Sequence, residues 1–258
     1  MSDAIRVGLV GFGYASKTFH APLIGGTPGV ALKAVASSDA DKVHADWPGV
    51  KVMSAAGDLL DDPDIDLVVI ATPNDTHFPL AKAALEAGKH VVVDKPFTVT
   101  LSQARELESL AKHCGRILSV FHNRRWDSDF LTVSALINEG QLGEVCYFES
   151  HFDRFRPQVR QRWREQAGPG SGIWYDLAPH LLDQVVVLFG LPVSITVDLA
   201  QLRPGAQSTD YFHAVLAYPQ RRVVLHGTLL AAAESARFIV HGSRASYIKY
   251  GLDPQEER

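Results

Sequence analysis

Cysteine is almost missing from this chain. Its 258 residues hold two, Cys114 and Cys146, each alone and outside any metal-ligand spacing. A disulfide framework is excluded by that count, no metal centre is expected, and buried free thiols in a reducing cytoplasm are the expectation. Long apolar runs are missing too, so nothing reaches the length that crosses a bilayer and no membrane partner is expected. Neither sign of charge dominates: 25 Lys and Arg face 29 Asp and Glu, a net charge of −4. That balance argues against a business of non-specific binding to nucleic acid or anionic membrane. The opening "MSDAIRVGLVGFG" enters a strand pattern almost at once, so no signal peptide is expected. Internal repeats and low-complexity segments are also lacking. What is plentiful is apolar content, 46% of residues, enough for one large domain or two ordinary ones.

The apolar residues are arranged in two textures. Over the first half, short β-branched runs at 5–11, 31–37, 66–72, 90–96 and 116–122 alternate with helical stretches at 15–25, 55–61, 78–88 and 101–114. Continuous apolar runs separated by helices predict a parallel sheet covered on both faces. Gly88 reads as a helix C-cap and Thr100 or Ser102 as an N-cap. After a helix at 127–140 the pattern changes. The stretch 144–155 alternates with period two, a helix follows at 173–189, and strand-like runs come at 194–203, 210–219, 221–231 and 237–251. Consecutive strands joined by short turns predict a mostly antiparallel sheet. The fold expected is α/β: an N-terminal Rossmann domain with a parallel sheet at 1–122, then an α+β domain with a large, mostly antiparallel open sheet at 123–258.

"GLVGFGYASKTFH" sets Gly11 and Gly13 between the first strand and the first helix. In a dinucleotide-binding loop the first glycine allows the tight turn and the second admits the pyrophosphate to the helix N-terminus. The third glycine position is Ser16, small enough to keep helix and strand close, with a hydroxyl free to donate to a phosphate. An NAD enzyme places an acid about 20 residues further on to take the ribose hydroxyls. Ser37 stands there, followed by Ser38, and serines tolerate a 2′-phosphate that a carboxylate would repel. NADP(H) is therefore favoured over NAD(H), while Asp39 points to solvent or caps the next helix. "TPNDTHF" follows the third long strand at the level where a dinucleotide crosses the strand ends, so Thr72, Asn74 and Thr76 cap the next helix, touch cofactor, or do both.

"IWYDLAPHLLDQV" carries Leu177, Leu181, Leu182 and Val185 at helical spacing, yet places Asp176 and His180 four residues apart within that pattern. Residues at i and i+4 share a helix face, so the pair lines one pocket side by side. Hydride transfer from a secondary alcohol needs a base within hydrogen-bond reach of the hydroxyl, and histidine suits that role near neutrality. Asp176 either orients the imidazole or binds a substrate hydroxyl. The bland account makes Asp176 the cap of a helix whose first turn holds Pro179, and His180 a satisfied core residue. Lys95 ends a buried strand just before Pro96, and position alone leaves it either a surface lysine or a pocket residue. "HNRRWD" follows the last strand of the first domain, so Asn123 and Arg124 are expected near nicotinamide and substrate, unless they form a charged linker. "DRFRPQVRQRWRE" interleaves five arginines with Phe155 and Trp163. RNA binding is weakened by two acids within the segment and the acidic whole-chain balance. A polyol-binding loop that includes Trp163, or a solvated strand end facing another subunit, fits better. Tyr175 is expected to reach the pocket on position alone.

Taken in order, "GFGYAS", "TPNDTH", "EAGKHVVVDKP" and "YDLAPH" resemble the Gfo/Idh/MocA family of sugar and inositol dehydrogenases, over essentially the whole chain. "SVFHNRRWDSDFLT" and "RFRPQVRQRWRE" look most like the branch that contains NADP-dependent scyllo-inositol dehydrogenase. "HVVVDKPF" is similar to the family's E-K-P signature, with Asp94 in place of the usual Glu. The resemblance implies a catalytic set of Lys95, Asp176 and His180. It implies cofactor contacts from Gly11, Phe12, Gly13, Ser16, Ser37, Ser38, Thr72, Pro73, Asn74, His77, Asp94 and Lys95, and substrate contacts from Asn123, Arg124, Trp163 and Tyr175. Family chains run longer than this one, so the C-terminal sheet is expected to lack covering structure and to expose apolar surface.

The expected function is an NADP(H)-dependent oxidoreductase working on a secondary alcohol or ketone of a small-molecule polyol or sugar, in the cytoplasm, as a homo-oligomer. An NAD-using glycosidase and a non-catalytic cofactor-sensing regulator are the alternatives on the same fold. A regulator can lose the Lys, Asp and His set, and its presence here argues for catalysis.

Overall fold

The computed structural model describes residues 4–253. They divide into two compact units at Phe121/His122. Among the described residues each unit is built on one six-stranded sheet.

In the first unit β1 (Ile5–Val10), β2 (Val30–Ala36), β3 (Lys51–Met53), β4 (Leu67–Ile70), β5 (His90–Asp94) and β6 (Leu118–Phe121) are all parallel, in the order β3-β2-β1-β4-β5-β6. The chain steps outward from β1 to β3, then returns to the other side of β1, so the order reverses between β1 and β4. Open α/β sheets bind ligands at the carboxyl ends of the strands flanking such a reversal. Helices cover both faces: α1 (Ala21–Gly26), α2 (Ala40–His44), α3 (Ala56–Leu60), α4 (His77–Glu86) and α5 (Leu101–Cys114). Val7, Leu9, Val68, Ile70, Val91 and Val93 are buried, as the unbroken apolar runs require. Thr100 caps α5 by accepting from the Gln103 amide at 3.3 Å, and Gly88 takes a positive φ just beyond α4.

In the second unit α6 (Ser128–Asn138) precedes β7 (Val145–Asp153). Next comes α7 (Gly172–Phe189), then β8 (Ser194–Ala200), β9 (Tyr211–Tyr218), β10 (Arg221–Thr228), β11 (Ala236–Gly242) and β12 (Ser246–Tyr250). The order is β12-β11-β7-β10-β9-β8, antiparallel except for the β7–β10 pair. One face packs on α7: Phe148, Phe152, Phe212, Leu216, Leu225 and Phe238 form a core with Leu177, Leu181 and Val185. The alternate residues Glu149, His151, Asp153, His213 and His226 line the other face. Ile195, Val197 and Leu199, one row of β8, are exposed.

Several sequence expectations need correction. The run 237–251 is a hairpin, not one strand; it turns at 243–245, where the Gly242 amide bonds the Ala245 carbonyl at 2.9 Å. The first helix opens with a π-helical turn, Ser16–His20. β3 has no counterpart in the pattern, being too short to show a period, and α2 enters it only as the helix that Asp39 is a candidate to cap. Cys146 is exposed, where the β7–β11 register shifts and the alternation of β7 breaks, and Cys114 is only half-buried, so the thiols are free but not buried.

Candidate active site

In the first unit the glycine loop is shaped by backbone contact. Gly11 has φ +88°, and a side chain there would lie 2.7 Å from the Ala71 carbonyl. Only glycine meets both demands. At Gly13 a side chain would meet nothing within 4 Å, so the loop is open on that side. Ser16 departs from expectation: it is fully buried and its hydroxyl donates to the Gly11 carbonyl at 2.8 Å. It closes the loop on itself and has no hydroxyl proton left for a phosphate. Phe12 likewise turns inward, packing with Val7, Leu9, Ala21 and Val35, which leaves only its backbone for a ligand.

At the end of β2 the Ser37 hydroxyl accepts from the Asp39 amide at 3.1 Å, and Ser38 is exposed. Asp39 caps α2, its carboxylate accepting from the Lys42 amide at 3.0 Å. Of the two roles open to Asp39, capping is the one observed. Beyond β4, Thr76 stands at the N-cap of α4 without a side-chain cap bond. Thr72 and Thr76 bond each other at 2.6 Å, and Thr76 also donates to the Pro73 carbonyl at 2.7 Å. Asn74 is buried. His77 is fully buried, with Nδ1 2.8 Å from the Pro96 carbonyl and Nε2 3.0 Å from that of Thr72. Its ring braces the β4 loop against the β5 loop, and both nitrogens face protein rather than a cofactor.

The Lys95 amide donates to Asp94 Oδ1 at 2.7 Å, and the Lys95–Pro96 bond is cis. Lys95 is half-buried. His20, which the sequence did not single out, is 4% exposed. Its ring lies 4.3 Å from that of Phe121, and its Nε2 is 3.8 Å from Asp94 Oδ2. Burial pushes the Asp94 carboxyl up, but His20, the Lys95 charge and the Lys95 amide together outweigh it and hold it below its ordinary value. The only sequence signal for His20 was its place at the end of the first turn after the glycines.

In the second unit α7 begins where Gly172, at φ +82°, lets the backbone pass Thr209 closer than any side chain would allow. The Ile173 amide fastens that start to the Thr209 carbonyl at 2.7 Å. Ser171 is the N-cap residue, so Asp176 lies inside the helix and the capping account of it fails. Pro179 also lies inside α7 and has no N–H to offer the Tyr175 carbonyl. Asp176 and His180 lie one turn apart on one face. His180 is 6% exposed and stands edge-on to Phe152, ring centroids 6.3 Å apart. Asp176 is more open, with Arg164 Nε 3.5 Å from Oδ1.

Arg124 lies over the same Phe152 ring at 5.1 Å, pairs with Asp127 at 3.0 Å, and receives the Gln184 side chain of α7 on its carbonyl. Asn123, in the same short turn, is half-buried. The second unit therefore gathers Arg124, Arg164, Asp176 and His180. Trp163 is held under the Arg164 guanidinium at 4.5 Å, and half-buried Tyr175 adjoins Asp176 along the chain. A buried network unmarked in the sequence fixes this loop. Arg203 pairs with Asp210 at 2.9 Å and Glu165 at 3.0 Å, and donates to the carbonyls of Arg156 and Gln158. Glu165 also accepts from the Arg160 amide and from Arg162 Nε. Arg203 stands 38 residues from Glu165 and 47 from Arg156, and no short-range pattern records those bonds.

Comparison with known proteins agrees with this architecture. Residues 5–122 match the model described as "Oxidoreductase family, NAD-binding Rossmann fold", and residues 134–258 the model of the same family's C-terminal alpha/beta domain. The chain is 81% identical to an uncharacterized oxidoreductase, YdgJ, of Escherichia coli over all 258 residues, which cover 75% of that protein. It is 38% identical to the scyllo-inositol 2-dehydrogenase (NADP(+)) IolW of Bacillus subtilis over 99% of this chain and 71% of that one. The solved structure of YPO2259 from Yersinia pestis superposes with a TM-score of 0.94 at 70% identity, covering 100% of this chain and 73% of that one. With both units matched and relatives aligned along nearly its whole length, the chain belongs to the Gfo/Idh/MocA family of oxidoreductases.

Proposed function

We propose that this protein is an NADP(H)-dependent oxidoreductase that transfers hydride between the nicotinamide and a secondary alcohol or ketone of a sugar or inositol. The observation that carries the reading is the placement of Asp176 and the buried His180 one turn apart in α7, with Arg124 over the Phe152 ring that His180 abuts. Asp176 lies inside the helix and does not cap it.

The residues of the first unit suit a dinucleotide. Gly13 leaves open the side of the loop where a pyrophosphate approaches, Gly11 holds the turn, and the helical turn that starts just after Gly13 offers backbone N–H groups. Ser37 and Ser38 end β2 without a carboxylate side chain, which suits a 2′-phosphate, and Asp39 is engaged by α2. When bound, that cofactor supplies the hydride acceptor or donor. The remaining work falls to side chains. His180 takes the substrate hydroxyl proton in oxidation and returns it in reduction. Asp176 orients the imidazole and favours its charged form, and Lys95 stabilises negative charge on the reacting oxygen. The NADP-dependent inositol dehydrogenase among the relatives supports this substrate class at 38% identity. The reading also includes a cytoplasmic homo-oligomer.

A screen of inositols and sugars that follows NADPH absorbance tests the reading. Turnover of at least one polyol, lost in His180→Ala with NADPH binding retained, is expected. Tight NADPH binding with no turnover across the panel would favour a cofactor sensor.

A further inference from the structure

The strand β7 and the helix α7 run in opposite directions across their interface. Phe148 meets Phe189 with ring centroids 5.5 Å apart, and Phe152 meets His180 at 6.3 Å. Four residues of strand thus match nine of helix, as expected from rises of about 3.3 Å and about 1.5 Å per residue. Phe148, Ser150 and Phe152 are all buried toward α7, and the next residue in that period is Arg154. Two more residues of strand correspond to four or five of helix, which brings Arg154 level with Asp176.

The backbone of Arg154 continues the strand: its amide bonds the Thr228 carbonyl at 2.9 Å and its own carbonyl accepts from Ala231 at 3.2 Å. Its guanidinium is half-buried and, among the described residues, has no ion-pair partner or side-chain hydrogen bond. Burial and the nearby charges of Arg156, Arg124 and Arg162 push it down, with Asp176 opposing them. Asp176 is shared: Arg164 pairs with it, and Arg156 also lies in its field. Glu165 and Asp210 do not relieve the excess, because Arg162 and Arg203 already hold them. Positive charge therefore exceeds negative beside the Asp176–His180 face, in a loop pinned by a buried network.

We propose that Arg154, with Arg156, forms an anion subsite there, so that the natural substrate is a polyol or sugar carrying a carboxylate or a phosphate. This rests on the dehydrogenase reading for its turnover arm only. Guanidinium forks suit both anions through paired charge-assisted hydrogen bonds.

The test compares matched triplets in the presence of NADPH: a neutral sugar or inositol, its acid, and its phosphate. Equilibrium binding is measured by calorimetry alongside kcat/KM. One charged member is expected to exceed its neutral parent by about tenfold or more, equivalent to about 1.4 kcal/mol. The acid and phosphate arms separate the two sources of charge. Raised salt should weaken the charged ligand selectively. Arg154→Gln should cut the charged-to-neutral ratio about tenfold, with Arg154→Lys recovering part of it. If Arg154→Gln does not fold, Arg156→Gln serves, and a smaller fall of the ratio is expected. The proposal is overturned if neutral members bind as well as charged ones. It is equally overturned if the variants weaken both classes alike, or if they raise the Kd of NADPH instead, which would assign the arginines to cofactor phosphates. Arg154-dependent binding of a charged ligand without turnover would keep the subsite and sink the dehydrogenase reading; turnover of neutral members alone would do the reverse.

Discussion

Phe152 holds His180 edge-on at 6.3 Å and lies against two guanidinium groups, Arg124 at 5.1 Å and Arg237 at 4.3 Å from its ring centre. One fully buried phenyl ring thus ties the imidazole to the β7 core and to the turn that bears Asn123 and Arg124. The imidazole is held by packing against that ring.

Removal of the proposed base, His180, is the first prediction. The neutral imidazole is needed to oxidise an alcohol and the charged one to reduce a ketone, so the oxidation rate should carry a limb that rises with pH. His180→Ala should remove that limb and lower kcat by about 10²–10⁴, the range of general acid–base catalysis. Asp176→Asn should depress the rate and shift the limb to lower pH, because the charged imidazole loses its partner. A mutant series assayed at several pH values checks this. Lower melting temperatures with kcat per folded molecule intact would return both residues to a structural role.

The second prediction concerns cofactor choice. The Ser37 hydroxyl accepts from the Asp39 amide, a bond that an Asp side chain can also accept, so Ser37→Asp should keep the turn. It would place a carboxylate where a 2′-phosphate is expected, and the ratio of NADPH to NADH affinity should fall about tenfold or more, a change of about 1.4 kcal/mol. Calorimetry on the wild type comes first. Tighter binding of NADH than NADPH there would reverse the assignment.

Much of this fold could be read because its signals are local. Apolar runs set β1, β4 and β5, the i, i+4 rule placed Asp176 and His180 on one helix face, and the order of short motifs carried the family. What escaped depends on distance in sequence or on where side chains turn. Ser16 reads as a phosphate donor until the Gly11 carbonyl is seen 2.8 Å from its hydroxyl. His77 reads as a cofactor contact until the Pro96 carbonyl is found on its ring. Arg154 was one arginine in a run of five until strand period and helix rise were set against each other. The hairpin at 243–245 was hidden because its turn residues, Ser243, Arg244 and Ala245, include no glycine or proline.

A buried ion pair gives the third prediction. Arg237 Nε lies 3.5 Å from Asp129 Oδ2, and both side chains are almost wholly buried. Burial pushes the Arg237 guanidinium down to about 10 and the Asp129 carboxyl up, so neither charge is well solvated. Arg237→Met leaves the Asp129 charge uncompensated and should destabilise the fold by about 3–5 kcal/mol. The double variant with Asp129→Asn should lose less than Arg237→Met alone. Denaturant unfolding of the single and double variants measures the coupling, and additive losses would contradict it.

The last prediction follows the row of histidines on the face of the sheet away from α7. His151 is flanked by Glu149 Oε2 at 2.7 Å and Asp153 Oδ2 at 3.5 Å; His226 lies 3.5 Å from Asp153 Oδ1 with its Nδ1 3.4 Å from that of His213. Burial pushes His151 down, but hydrogen bonds to the two carboxylates outweigh it and the ring ends above its ordinary value. His226 ends below, through burial and the neighbouring His151 and His213. The signs then differ. The contribution of His151 to stability is complete below the unfolded value of about 6.5 and is lost as pH rises through its folded one. That of His226 is complete above about 6.5 and is lost as pH falls through its own lowered value. Two-dimensional NMR titration should find His151 deprotonating at higher pH than His226 in the same sample. Glu149→Gln removes one of the charges that hold the His151 proton, so it should bring the two midpoints closer. Coincident midpoints in the wild type, or a Glu149→Gln titration that leaves His151 where it was, would show that the carboxylates do not govern this row.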